Sequence, residues 1–155
     1  MASTLKTPQV VVVNGDGHVA GRLSSRVAKM LLNGDHVYVV NSEKILISGK
    51  RDTVLRAWLK KLEISSVVHP KHGPFHPRSP NGILTRMIRG MVPRRKTKGV
   101  EALGRLRVYV GIPAHYRPMS QIYFDDAKAL KHRSYYVSLG QIASALGWKG
   151  VSDWI

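Results

Sequence analysis

Four successive stretches in the N-terminal part of the sequence constrain the fold more than anything else in the chain. Residues 9–13 form a short β-branched run that enters the turn sequence Asn14, Gly15, Asp16, Gly17. From Ala20 to Leu32 the apolar residues Ala20, Leu23, Val27 and Leu31 fall at helical spacing, and Asn33 and Gly34 supply a stop. Residues 36–41 are a second aliphatic strand. Residues 50–62 return to helical spacing, with Val54, Leu55, Trp58, Leu59 and Leu62 on one face and Arg51, Arg56, Lys60 and Lys61 mostly off it. Strand, helix, strand, helix in that order predicts an α/β fold with parallel strands joined by right-handed crossovers.

The pattern then breaks. Pro70, Pro74, Pro77, Pro80, Gly73 and Gly82 make a long regular element improbable over residues 64–82. A structureless loop of this length is uncommon in a compact domain unless it has a function. Helical spacing resumes over 83–91, with Leu84, Met87, Ile88 and Met91 inward and Arg86 and Arg89 flanking, until Pro93 ends it. A basic run, Arg94, Arg95, Lys96, Thr97 and Lys98, follows. Residues 107–110 are a strand candidate. Ser138 is placed to cap a short helix with Leu139, Ile142, Ala143 and Leu146 inward, ended by Gly147. There is no internal repeat and no low-complexity tract.

Charge locates a function within this frame. The 155 residues carry 25 Lys and Arg against 9 Asp and Glu, a formal net charge of +16. Residues 50–117 hold sixteen of the basic groups and three acids (Asp52, Glu63, Glu101). Between Glu63 and Glu101 lie eight Lys/Arg, three His and no acid. A one-sign segment inside a folded chain is a binding footprint, because only an anion relieves its repulsion. With 43% hydrophobic residues the chain is too apolar for a disordered basic tail, and its length suits one domain, residues 1–155. The lack of cysteine excludes disulfide scaffolds and Cys-ligated zinc modules. The longest aliphatic runs, near 10–13 and 37–40, fall far short of the roughly 20 residues of a membrane span. No secretory signal is expected, and the chain reads as a folded intracellular domain.

Enzyme motifs fare poorly. Gly15, Gly17 and Gly21 follow a strand and open a helix, as a dinucleotide fingerprint requires, but the third glycine is one residue late. A small nucleotide-binding enzyme using this turn is the alternative from another class. A phosphate-cradling loop ending in Gly-Lys-Ser/Thr is also absent, since Gly49 and Lys50 are followed by Arg51. His69, His72 and His76 lie in the Pro-rich loop without a carboxylate or thiol partner, so phosphate contact, stacking or solvation is expected of them rather than metal binding. No nucleophile elbow and no paired carboxylates are present. No catalytic residue, cofactor, metal or small-molecule substrate is therefore assigned.

Nucleic acid fits the remaining features. Arg22, Arg26 and Lys29 recur at i, i+4 and i+7, and no acid interleaves from Gly17 to Gly34. Over residues 73–98, Arg78, Arg86, Arg89, Arg94, Arg95, Lys96 and Lys98 supply cationic donors. Prolines lower the entropy lost when the loop is ordered on a partner. Phe75 and His76 can stack on an unpaired base, and arginine's fork suits phosphate. Arg51, Lys71 and His72 complete the expected nucleic-acid-binding set.

These residues resemble a known family. Residues 17–29 (Gly-His-Val-Ala-Gly-Arg-Leu-Ser-Ser-Arg-Val-Ala-Lys), 39–49, 73–80 (Gly-Pro-Phe-His-Pro-Arg-Ser-Pro), 89–93, 96–98, 102–109, 111–113, 138–143 and 147–148 are similar, in collinear order, to the universal large-subunit ribosomal protein thirteen family in its archaeal and eukaryotic form. The resemblance implies a three-layer α/β/α fold around a four-stranded parallel sheet of order 3-2-1-4, with a long basic Pro-rich loop. It implies a structural role on large-subunit ribosomal RNA, beside neighbouring large-subunit proteins, in cytoplasmic ribosomes, without catalysis. RNA contact is implied for the basic first helix and for residues 73–98, within an RNA-binding segment spanning 64–100. Eukaryotic relatives carry a long C-terminal helical extension that this sequence lacks, which points to an archaeal source.

Overall fold

The computed structural model describes residues 8–150. In chain order the elements are β1 (Val10–Asn14), α1 (Ala20–Leu32), β2 (His36–Val40), β3 (Leu46–Ser48), α2 (Arg51–Glu63), α3 (Pro80–Met91), α4 (Thr97–Gly104), β4 (Leu106–Val108), β5 (Gln121–Ile122), β6 (Tyr136–Ser138) and α5 (Leu139–Ala145). β1 and β2 pair in parallel over their full lengths, as two β-branched runs buried in the middle of a sheet should. β4 adds to the outer side of β2 and β5 to the outer side of β1, both parallel. The sheet order is β4-β2-β1-β5, and counted among the strands of this sheet alone it runs 3-2-1-4. β3 stands apart, pairing antiparallel with β6 in a two-stranded ribbon that the sequence reading does not contain.

The sheet has two different faces. Val11, Val13, Val37 and Val39 point into the core cluster with Leu23, Val27 and Leu31 of α1 and Ile83, Leu84 and Ile88 of α3. Alternation sends Val12 and its register partner Tyr38 to the other face. That face is covered by the chain after β4, where a 3-10 turn at Ala114–Tyr116 stacks Tyr116 on Tyr38 with 4.9 Å between ring centres. The third layer is thus a thin one of short turns.

Local chemistry explains most boundaries. α3 begins at Pro80, three residues before the first position expected, because proline at the first helical position loses no needed N–H. α5 carries the expected cap: Ser138 Oγ accepts from the Gln141 amide at 3.2 Å, and Gln141 Oε1 accepts from the Ser138 amide in return. Thr97 and Lys98, expected in a basic loop, instead form the first turn of α4, whose Ala102 is buried. α1 ends against Arg105, whose Nη2 donates to the Leu31 carbonyl at 2.9 Å and places a cation at the negative end of that helix.

α2 is the exception. It has no buried residue. Val54, Leu55, Trp58 and Leu62 are only partly buried against the core, and Leu59, expected on the inward stripe, is 43% exposed.

Two measurements test this packing. Arg105→Met should destabilise the fold by about 1–2 kcal/mol in denaturant melts, the worth of a charge-assisted bond at a helix end. The Tyr116 hydroxyl is pushed up to about 12, first by its interaction with the Tyr109 hydroxyl, then by burial and by the neighbouring phenols. Between its ordinary value near 10 and that point, the unfolded chain loses the proton while the fold keeps it. Its stabilising contribution is therefore complete below about pH 10 and lost as pH rises towards 12. An ultraviolet phenolate titration should show one tyrosine ionising last, and Tyr109→Phe should bring it forward.

Candidate nucleic-acid interface

The Pro-rich stretch leaves α2 at Ile64 and runs to Ser79, with a 3-10 turn at Pro70–His72 as its only helical piece. Residues before proline are held extended, so the chain cannot fold back into a helix and its side chains stand outward. Phe75 is 72% exposed, and Lys71, His72 and Arg78 are exposed as well. His72 stacks on His69 with ring centres 4.4 Å apart. His76 turns inward, its Nε2 lying 3.1 Å from the Ile64 carbonyl. Among the described residues no group of three or more His, Cys, Asp or Glu side chains is gathered.

The loop returns beside α3 and leaves a cavity of about 250 Å³ between α2, the loop, α3 and the end of α5. Arg86 lines it, with Lys61 across from α2. The Arg78 guanidinium lies against Gly147, just past α5. Arg89 is half-buried on α3, while Arg94, Arg95 and Lys96 are exposed in the turn to α4 and Lys98 is exposed on its first turn. That turn is closed by the Lys96 amide bonding the Pro93 carbonyl at 3.0 Å. Gly99 is what lets it close, because a Cβ there would sit 2.2 Å from the Pro93 oxygen.

Three expected residues lie away from this cluster. Arg51 opens α2 at the end opposite the loop, roughly 18 Å away at 1.5 Å per residue. Arg22 Nη1 donates to the Lys128 carbonyl at 3.4 Å, and Arg26 forms an ion pair with Asp126, both on the turn after β5. Lys29 is exposed on the same helix face. The sequence shows no acid within α1, yet the fold brings one in from 100 positions along the chain. Next to it, Asp125 is held below the usual carboxylate range by the hydrogen bond and charge of Lys128.

The nucleotide alternative fails on the same region. Gly17 takes a left-handed φ of +70° to turn the chain, but the helix end it leads to is already covered. The Val19 amide donates to the Ala127 carbonyl at 2.8 Å, and fully buried His18 fills the space behind it. His18 Nε2 accepts the Phe124 amide at 3.0 Å, leaving the Nδ1 proton for the Asp16 carbonyl. A pyrophosphate would have to displace the protein's own segment.

The structure adds residues that sequence reasoning passed over. Trp58 and Lys61 line the cavity, with the Lys61 ammonium 4.1 Å from the Trp58 ring centre. A second cleft, of about 480 Å³, is lined by Lys44, Lys131 and Arg133 together with Asp16 and Glu43. The signal for it was available: residues 127–152 contain no acid while Lys128, Lys131, His132, Arg133 and Lys149 fall there.

Known proteins resemble this chain over most of its length. Residues 8–115 match the family described as Ribosomal protein L13. The chain is 43% identical over 141 residues to a protein named large ribosomal subunit protein uL13 from Aeropyrum pernix, covering 90% of this chain and 91% of the relative. The namesake from Methanosarcina barkeri is 40% identical over 142 residues, covering 90% and 99%. That from Saccharolobus solfataricus is 35% identical over 149 residues, covering 96% and 99%. The chain belongs to the ribosomal protein L13 family, in its archaeal branch. Its relatives are named as ribosomal proteins, not as enzymes.

Gly99→Ala tests how the basic turn is held. The added methyl should force the Pro93–Lys96 turn open and destabilise the protein by about 1–3 kcal/mol, read as a lowered Tm.

Proposed function

We propose that this protein is a structural constituent of the large ribosomal subunit. The whole chain acts as one ribosomal-protein domain whose segment 64–100 binds and stabilises large-subunit ribosomal RNA. In that role it supports subunit assembly and translation in cytoplasmic ribosomes, beside neighbouring large-subunit proteins. One observation carries the reading. In a member of the ribosomal protein L13 family, eight Lys/Arg and no acid occupy residues 64–100, all outside the core cluster on a proline-stiffened loop, α3, the following turn and the start of α4.

The mechanism follows from the charge and its placement. The core fixes the loop, α3 and the turn at set positions, so little entropy is lost on docking. Lys71, Arg78, Arg86, Arg89, Arg94, Arg95, Lys96 and Lys98 then displace counterions from the RNA backbone. His72, Phe75 and His76 offer ring faces to unstacked bases, and RNA shape carries most of the specificity. Arg22, Arg26, Lys29 and Arg51 make a second, outlying set of contacts, weaker for the first two because Asp126 and the Lys128 carbonyl already hold them.

Neutralising about eight phosphates gives a slope of log affinity against log salt near −6 to −7. Changing Arg86, Arg89, Arg94 and Arg95 together to Ala should lower binding to a large-subunit RNA transcript and make that slope shallower by about 3, with native circular dichroism retained. In extracts the protein should sediment with the large subunit and leave it at high salt. Unchanged RNA binding by the folded quadruple variant would sink the reading.

A further inference from the structure

The cavity between α2 and α3 is not explained by backbone contacts alone. Its floor is apolar: Ile83 and Leu146 are buried and Met87 is half-buried, while the half-buried Trp58 ring forms one wall. Its rim is cationic, with the exposed Lys61 and Arg86 on opposite sides. Glu63 is the one acid between Asp52 and Glu101, and it does not line the space. At about 250 Å³ the cavity is larger than the roughly 150 Å³ cavity that takes up benzene in an engineered protein.

An apolar slot ringed by cations is complementary to one kind of chemical group: a flat, weakly polar ring joined on both sides to anions. A nucleobase on its phosphodiester backbone is that group. An apolar protein side chain would satisfy the floor but leave Arg86 without an anion and Lys61 with only the Trp58 ring face. Resting on the reading above that segment 64–100 binds ribosomal RNA, we propose that this cavity receives a single unstacked nucleobase. The base lies on Met87 and against the Trp58 wall, where it displaces the Lys61 ammonium from the ring, and Lys61 and Arg86 then hold the flanking phosphates. His76 Nε2 is taken by the Ile64 carbonyl, which leaves Nδ1 as the ring atom able to read the base edge.

This accounts for two otherwise unrelated features. The α2 stripe, apolar by sequence, stays half-open because part of it is the wall of a binding slot. The loop prolines set the slot's width, since Pro77 lines it directly.

The test separates base insertion from charge. Met87→Trp fills the slot and Trp58→Leu removes the stacking wall, and neither alters any charge. In the presence of wild-type protein, chemical probing of a large-subunit RNA transcript should show one unpaired base protected at its Watson–Crick edge. Both variants, with native melting curves, should lose that protection and bind about tenfold or more weakly, the cost of one aromatic–base stack. The salt slope should not change, because every phosphate contact remains. Several results would overturn the inference: wild-type affinity and protection in either folded variant, a shallower salt slope, or a defect confined to binding a neighbouring protein. If wild-type protein failed to bind the transcript at all, the ribosomal RNA reading itself would fall.

Discussion

The structure depends on a buried polar cluster at the carboxyl ends of the two central strands. Asn14, the last residue of β1, donates from Nδ2 to Gln121 Oε1 and to the Tyr123 hydroxyl, both at 2.7 Å. Its Oδ1 accepts from the Asp16 amide and from Asn41 Nδ2. Asn41, buried at the end of β2, reaches that position with φ +56°, a conformation asparagine tolerates better than most residues. One side chain therefore ties together the ends of β1, β2 and the strand that follows the long crossing. Such a network is costly to disturb, because loss of any member leaves the others buried and unsatisfied.

The same cluster fills the place where an open sheet most often holds a ligand. In open parallel sheets, ligands settle in the crevice beyond the carboxyl ends of the strands. Here the Asn14 network and His18 occupy that place, and the chain from Phe124 to Ala129 lies across the start of α1. On the proposed reading, RNA is bound at the periphery instead, on α2, the Pro-rich loop and α3. Repulsion among like charges also costs less there, since exposed cations are screened by water and salt. None of the eight cations of residues 64–100 belongs to the core cluster, which is why an arginine-to-alanine series can be read as binding rather than folding.

How much of this was legible follows the length scale of each feature. α1 was readable to the residue because its period holds over 13 positions, and the α5 cap because Ser138 and Gln141 are three apart. β3, β5 and β6 span two or three residues, too short for any periodicity, and exist only because a partner strand lies alongside. α4 was hidden by its glycines and by the charges ahead of it; packing on α1, not propensity, makes it helical. The basic segment was legible because it is contiguous. The Arg26–Asp126 pair and the Arg105 bond to Leu31 were not, since their partners lie 100 and 74 positions away. Spacing puts Trp58 on the inward stripe of α2, and spacing cannot tell a residue packed in the core from one that lines a cavity beside it.

Internal neutralisation sharpens the division further. Among the described residues the ion pairs seen are Arg26 with Asp126 and Lys128 with Asp125, side by side on the turn after β5. Neither draws on residues 64–100. The fold thus spends its acids where α1 must dock against that turn and leaves the loop, α3 and the α3–α4 turn uncompensated. Exposed pairs of this kind add little stability, so the effect of their placement is chiefly to fix which cations are free. One of them, Arg86, lines an apolar cavity together with Lys61 of α2, and an apolar cavity does not by itself attract phosphate. On the proposed reading, the combination suits a partner that carries backbone charge and an exposed ring together, which duplex RNA hides and a loop or bulge presents.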